Sequence, residues 1–211
     1  DNFTTAGLRY SRMTLTSPLD RNPIRNTSFS NFSSFPADPI STTVPDGVGI
    51  LIDSDASHII VGEDRTTPVS VSGCPVGIYL DQSSHNQIKA IDIFGSFGPI
   101  NAAGIVLTGS SENQIGLPGA LANFVEGVTG PIGSGHGIAL FESNENTIAG
   151  NTISFSTGAG IYLENSELNL IGGSTFKEGN ECLANGTHGI HFNGPATLAN
   201  RAHSNFIGIT R

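Results

Sequence analysis

The sequence predicts an all-β fold, a parallel β-helix of about six to seven coils with three short parallel sheets. Three observations carry that prediction. A short unit returns six times along the 211 residues. One half of the unit is nearly fixed and the other half varies in length, as in a solenoid whose length differences fall in loops. Within the fixed half the apolar residues alternate, the period of a half-buried strand.

The clearest copy is Gly77-Ile78-Tyr79-Leu80-Asp81-Gln82-Ser83-Ser84-His85-Asn86-Gln87-Ile88. It recurs at Gly104-Ile105-Val106-Leu107 with Asn113-Gln114-Ile115, at Gly137-Ile138-Ala139-Leu140 with Asn146-Thr147-Ile148, and at Gly160-Ile161-Tyr162-Leu163 with Asn169-Leu170-Ile171. A weaker first copy is Gly49-Ile50-Leu51-Ile52 with His58-Ile59-Ile60, and a last one is Gly189-Ile190-His191-Phe192 with Asn205-Phe206-Ile207. The first five keep a Gly-to-Asn (or His58) offset of nine, and the sixth is read as lengthened by seven. Successive Gly-Ile pairs are 28, 27, 33, 23 and 29 residues apart.

Stacked coils place equivalent residues about 4.8 Å apart, the spacing of hydrogen-bonded strands. Ile then lies over Ile, Leu over Leu, and Ser83, Ser110, Ser143 and Ser166 form a column. Asn86, Asn113, Asn146 and Asn169 form another, in which each turn amide satisfies its own coil and donates to the next.

The pattern Gly-Ile-x-Leu-x-x-Ser-x-x-Asn-x-Ile at 77–88, 104–115, 137–148 and 160–171 resembles the right-handed parallel β-helix repeats of the pectin-lyase-like superfamily, over roughly residues 45–211. The resemblance implies the handedness, in accord with the general preference for right-handed crossovers. It implies no single activity, since that superfamily includes lyases, hydrolases, epimerases, phage tailspikes and adhesins.

The elements follow in order within one domain, 1–211. Residues 1–48 are an irregular first coil or cap. In it Leu8 to Leu15 and Ile24 to Phe32 read as strands, Phe29, Phe32 and Phe35 as core closure, and Ser33 to Asp46, with three prolines, as a loop. Regular coils occupy 49–211. They include third strands near Ile91–Phe94, Leu121–Val125, Asn151–Phe155 and Asn180–Leu183, a long excursion from Gly116 to His136, and an insertion between Gly194 and Ser204. The chain opens on Asp1 with neither Met nor signal peptide, so a mature or trimmed piece of a longer chain is expected.

A net charge of −9 argues against nucleic acid, whose phosphates need Lys and Arg, and against an anionic membrane surface. No apolar run approaches the ~18 residues of a bilayer span. Cys74 and Cys182 lie about four coils, ~19 Å, apart. A disulfide needs Cα atoms within about 7 Å, so these two are expected not to pair.

For chemistry the outward positions of the Gly-Ile-x-Leu strand matter most. The second residues after Gly are Leu51, Tyr79, Val106, Ala139, Tyr162 and His191, and the fourth are Asp53, Asp81, Thr108, Phe141, Glu164 and Asn193. Aromatic faces stack on sugar rings, and carboxylates bind hydroxyls or act as acid and base. The expected substrate-binding residues are therefore Tyr79, Tyr162, Glu164 and His191. Asp53 and Asp81, on neighbouring coils about 5 Å apart, match a retaining glycosidase pair and are the expected catalytic residues if the chain is an enzyme. A solvated acidic stripe explains the same row without chemistry.

No metal or other cofactor is called for by a signature motif, although stacked Asp55, Glu112, Glu142, Glu145 and Glu167, with His58 and His85 among them, offer oxygens of the kind Ca²⁺ takes. Gly135-His136-Gly137 resembles a polygalacturonase tripeptide, but the Asn-Thr-Asp, Asp-Asp and Arg-Ile-Lys motifs of those enzymes are missing. Thr187-His188-Gly189 repeats the placement, which marks a repeat position. The resulting expectation is a secreted or cell-surface protein whose partner is a polysaccharide, bound or processed as by a polysaccharide hydrolase or lyase. The alternative is an adhesive stalk without activity.

Overall fold

The computed structural model describes residues 6–11, 28–30, 47–53, 56–66, 68–96, 102–131 and 134–208, the first two segments as backbone alone. Phe32, Phe35, the Ser33 to Asp46 segment and Asp55 lie outside the described residues, as does the side chain of Phe29.

The chain is a right-handed parallel β-helix of three sheets. Sheet one pairs Ala6–Ser11, Val48–Asp53, Val76–Asp81, Ala103–Thr108, His136–Phe141, Ile161–Glu164 and Ile190–Asn193 in that order. Sheet two stacks Ile60–Val61, Gln87–Ile88, Gln114–Ile115, Thr147–Ile148, Leu170–Gly172 and Arg201–His203. Sheet three stacks Ser28–Ser30, Val69–Ser72, Ile91–Phe94, Phe124–Glu126, Thr152–Ser154, Glu181–Leu183 and Phe206–Gly208. Each strand pairs in parallel with its equivalent one coil away. The irregular opening segment thus contributes strands to sheets one and three.

The core is a bundle of columns. Ile50, Ile78, Ile105, Ile138 and Ile161 form one column of sheet one, and Ile52, Leu80, Leu107, Leu140 and Leu163 another. Sheet two supplies Val61, Ile88, Ile115, Ile148 and Ile171, and sheet three Val71, Ile93, Val125, Ile153 and Cys182. All are buried in one cluster. Cys182 thus serves as a small apolar core residue. Cys74 and Cys182 are both buried and form no disulfide with each other, as their separation requires.

The repeated Gly has a steric cause. A Cβ on Gly104 would come within 2.3 Å of Val125 Cγ1 and 2.6 Å of the Gly137 carbonyl oxygen, and one on Gly137 within 2.1 Å of Ile153 Cγ2. The Gly therefore does not continue the in–out alternation read from sequence. It faces sheet three's core residues, and the following Ile also points inward. The residue before Gly and the second residue after it end up on the same outer side of the sheet.

Polar columns hold the turns. Each Ser after Ser83 accepts from the backbone N–H of its predecessor, Ser110 from Ser83 at 3.0 Å and Ser166 from Ser143 at 3.0 Å. The Asn column runs Asn86, Asn113, Asn146, Asn169, Asn200. Two expectations about its ends are corrected. Asn200, not Asn205, underlies Asn169, because Leu170 pairs with Arg201 in sheet two. The last copy is therefore lengthened by two residues rather than seven. At the other end Ile59, not His58, takes the Asn place, since Ile60 pairs with Gln87 and the Ile59 N–H donates to Asn86 Oδ1 at 2.9 Å. Asn205 belongs to a second column on the approach to sheet three, Asn123, Asn151, Asn180, Asn205. The third-strand excursion read at Leu121–Val125 is a 3-10 turn, Gly119–Leu121, followed by the strand Phe124–Glu126.

Candidate functional site

The outer face of sheet one has the rows expected from sequence. Leu51, Tyr79, Val106, Ala139, Tyr162 and His191 stand in register, as do Asp81, Thr108, Phe141, Glu164 and Asn193, with Asp53 one step past the Ile52–Leu80 pair. The Gly bend adds a third row, Val48, Val76, Ala103 and His136.

Outward does not mean exposed. Over the earlier coils Val48, Leu51, Val76, Tyr79, Ala103 and Val106 form a second buried apolar cluster, with Phe141 against it. Tyr79 is 5% exposed and donates from its hydroxyl to Thr108 Oγ1 at 3.0 Å. Burial, the larger cause, and the Asp81 charge raise its pKa, while the Thr108 hydrogen bond opposes them. Its ring offers no open face for a sugar. Asp53 is 2% exposed and Asp81 half-buried. Burial first and the Asp53 charge second push the Asp81 carboxyl above the usual carboxylate range. The two carboxylates do influence each other, but one of them is enclosed.

In the later coils the same face stays buried through His136 and Tyr162, which are 7% and 9% exposed, with Tyr162 in a third apolar cluster. It opens only at the last described strand of the sheet. His136 stacks on Tyr162 with ring centroids 4.3 Å apart, and its Nδ1 accepts the Ala159 N–H at 3.0 Å. The Tyr162 hydroxyl donates to Glu164 Oε2 and accepts from Asn193 Nδ2, both at 2.7 Å. Burial leads, followed by the Glu164 contact, in raising the Tyr162 pKa. His191 meets the Tyr162 ring edge-on at 5.3 Å, and His188 lies 4.4 Å from His191, centroid to centroid. His191 is half-buried, and His188, Asn193 and Phe192 are exposed. Of the four expected binding residues the structure brings Tyr162, Glu164 and His191 together and leaves Tyr79 apart.

A second imidazole pair sits on the turn between sheets one and two. His58 stacks on His85 at 5.4 Å, and His85 Nε2 is 3.0 Å from Glu112 Oε2. The carboxylates of this edge fall on different turn positions. Glu112 and Glu145 share the left-handed position before the Asn, whereas Glu142 occupies the one after the strand. Among the described residues no three of these side chains are placed together as an ion site would need.

Sequence reading missed the second Asn column, whose signal is an Asn before each of the last four strands of sheet three, at spacings of 28, 29 and 25. It also reads His188 as a repeat position because Thr187-His188-Gly189 repeats the placement of His136, and does not show the bend at Gly189 that turns it toward His191.

Comparison with known proteins returned one family. The model described as periplasmic copper-binding protein (NosD) matches residues 37–209. No curated protein and no solved structure matches. Among the described residues no group of three or more His, Cys, Asp or Glu is placed to enclose a metal. Both thiols are buried, and Cys182 is pushed up to about 12 by burial, so neither is a ready thiolate ligand. The paired imidazoles of His188 and His191 fit copper chemically, as two ligands of an incomplete set. No helix among the described residues is long and apolar enough to cross a membrane. With the match covering most of a chain that the structure shows to be a continuous stack of coils, this protein belongs to the extracytoplasmic β-helix family described as periplasmic copper-binding protein, NosD.

Proposed function

We propose that the chain is an extracytoplasmic binding scaffold that takes up a copper ion as cargo at the last described strand of sheet one, through His188 and His191. The observation that carries this reading is their adjacency at 4.4 Å on an accessible surface, in a chain whose family is described as copper-binding. Imidazole nitrogens are good copper donors. Two protein donors leave the remaining positions to water or to a receiving protein, which suits exchange better than permanent retention. Tyr162, tied to Glu164 and Asn193, backs His191 and limits its movement.

The test is titration of the intact protein with Cu(I) and Cu(II) against a competing chelator. His188→Ala with His191→Ala should remove the binding, and His58→Ala with His85→Ala should leave it. Equal affinity in wild type and the His188/His191 variant would overturn the reading.

A second reading, polysaccharide binding on the same face, is supported by the accessible Glu164, His191 and Asn193 group. Cleavage by Asp53 and Asp81 is supported by the raised pKa of Asp81 and opposed by the enclosure of Asp53. Release of reducing ends from any polysaccharide, lost in Asp81→Asn, would favour this reading over copper carriage.

A further inference from the structure

On the opposite flank of the rod, the outer face of sheet three forms a cleft of about 460 Å³. This is within the ~300–1,000 Å³ range of small-ligand sites. Its floor is one register row running Phe124, Thr152, Glu181, Phe206. One wall is the 3-10 turn Phe176–Glu178, which presents Phe176 and Lys177. That wall is fixed in place: Glu178 Oε2 accepts the Thr175 N–H at 2.7 Å and the Ser174 hydroxyl at 3.0 Å, and the Glu178 carbonyl accepts the Gly150 N–H at 2.9 Å. Phe176 is nonetheless 78% exposed and Phe206 46%. Arg65 lies 4.3 Å over the Phe124 ring and pairs with Asp92, which pins the far end.

We propose that this cleft binds a neutral glycan chain lying along the rod axis. The floor alternates what a pyranose needs, an aromatic surface for its C–H face and a hydroxyl and a carboxylate for its hydroxyls. Phe124 and Phe206, three strands apart, lie about 14 Å from each other along the rod, so they would contact separate rings of one chain. A purely apolar peptide would leave Thr152, Glu181 and Lys177 buried without partners, at a cost. The protein's net charge of −9 repels uronates and phosphorylated glycans, which selects an uncharged chain. The site shares no residue with the proposed copper pair and goes beyond that reading.

The experiment is affinity electrophoresis and calorimetry of the intact protein with cellohexaose, maltohexaose and soluble galactomannan. At least one is expected to bind, with Phe206→Ala and Phe176→Ala each weakening it tenfold or more, and His188→Ala/His191→Ala leaving it unchanged. Phe206 is in the last described coil and its loss could loosen that coil. Phe176, on an exposed turn, then decides, with the urea midpoint as the control for folding. Failure of all three probes to bind wild type, or wild-type affinity in Phe176→Ala, would overturn the proposal.

Discussion

The Oδ1 atom of Asn146 accepts two hydrogen bonds from Asn113, one from the backbone N–H at 2.9 Å and one from the side-chain amide at 3.1 Å. In the same column Asn146 donates its own amide to the Ser110 carbonyl at 2.9 Å and to Asn169 Oδ1 at 3.2 Å. Each member therefore satisfies a coil on either side. Asn146→Ala would orphan the buried N–H of Asn113 and the Ser110 carbonyl. Leaving a buried polar group unsatisfied costs about 1–3 kcal/mol, so a loss of about 2–4 kcal/mol in urea unfolding is expected. Asn200→Ala, at the half-exposed end of the column, should cost clearly less. Equal losses at the two positions would mean the column does not act through buried amides.

Gly104 tests the steric account of the repeat. Gly104→Ala would drive a methyl against Val125 Cγ1 and the Gly137 carbonyl oxygen, an overpacking expected to cost about 3 kcal/mol or more. Val125→Ala in the same chain removes only the side-chain clash, so rescue should be partial. Gly208, whose Cβ would meet nothing within 4 Å, is the control, and Gly208→Ala should fall within about 0.5 kcal/mol of wild type. Full rescue by Val125→Ala would show that the backbone contact tolerates a methyl.

These two positions also show how far the sequence could be read. Gly and Asn recur because a column repeats one environment, so every coil states the same constraint and the fold is legible from the spacing alone. The ends were misread at Ile59 and Asn205, where the column stops repeating and apolar or one-sided partners suffice. The face of sheet one was legible as rows but not as a surface. Alternation says that Tyr79 and Asp53 point away from the core, and nothing in their spacing says that Tyr79 packs into a second buried apolar cluster or that Asp53 is enclosed. His188 was illegible as a partner of His191 because residues three apart on a straight strand face opposite sides, and only the bend at Gly189 aligns them.

Asp81 gives the stability a pH dependence. Its folded pKa is raised, by burial and then by Asp53, above the ordinary value near 3.9. The folded state thus holds the proton more tightly than the unfolded chain. The resulting stability is fully present below the unfolded value and is lost as pH rises through the raised folded one. Asp81→Asn should gain about 0.2–1 kcal/mol at pH 7, the scale of a like-charge cross-strand pair, and nothing at a pH low enough to protonate the group in both states. Parallel stability curves for the two proteins across pH 3 to 7 would remove this role.

The two thiols report on how the rod opens. Cys74 and Cys182 are buried, and the Cys182 pKa of about 12 is well above the ordinary thiol near 8.5, so iodoacetamide at pH 8 should leave both unmodified in the native protein. Raising the pH to 10 should not release Cys182, because its thiolate is still suppressed there. In subdenaturing urea the positions should separate. Cys182 lies one coil from the last described strands, where its column neighbour Ile207 is already 55% exposed, whereas Cys74, which follows Val69–Ser72 near the other end of the stack, packs in the core with the fully buried Val71 and Ile93. Because each coil is held mainly by its neighbours, the poorly covered neighbour of Cys182 should let it label first, and peptide mapping by mass spectrometry would show it. Equal labelling rates at both sites would mean that the coils open in one cooperative step, and the Asn columns, which tie every coil to the next, would then be the natural cause.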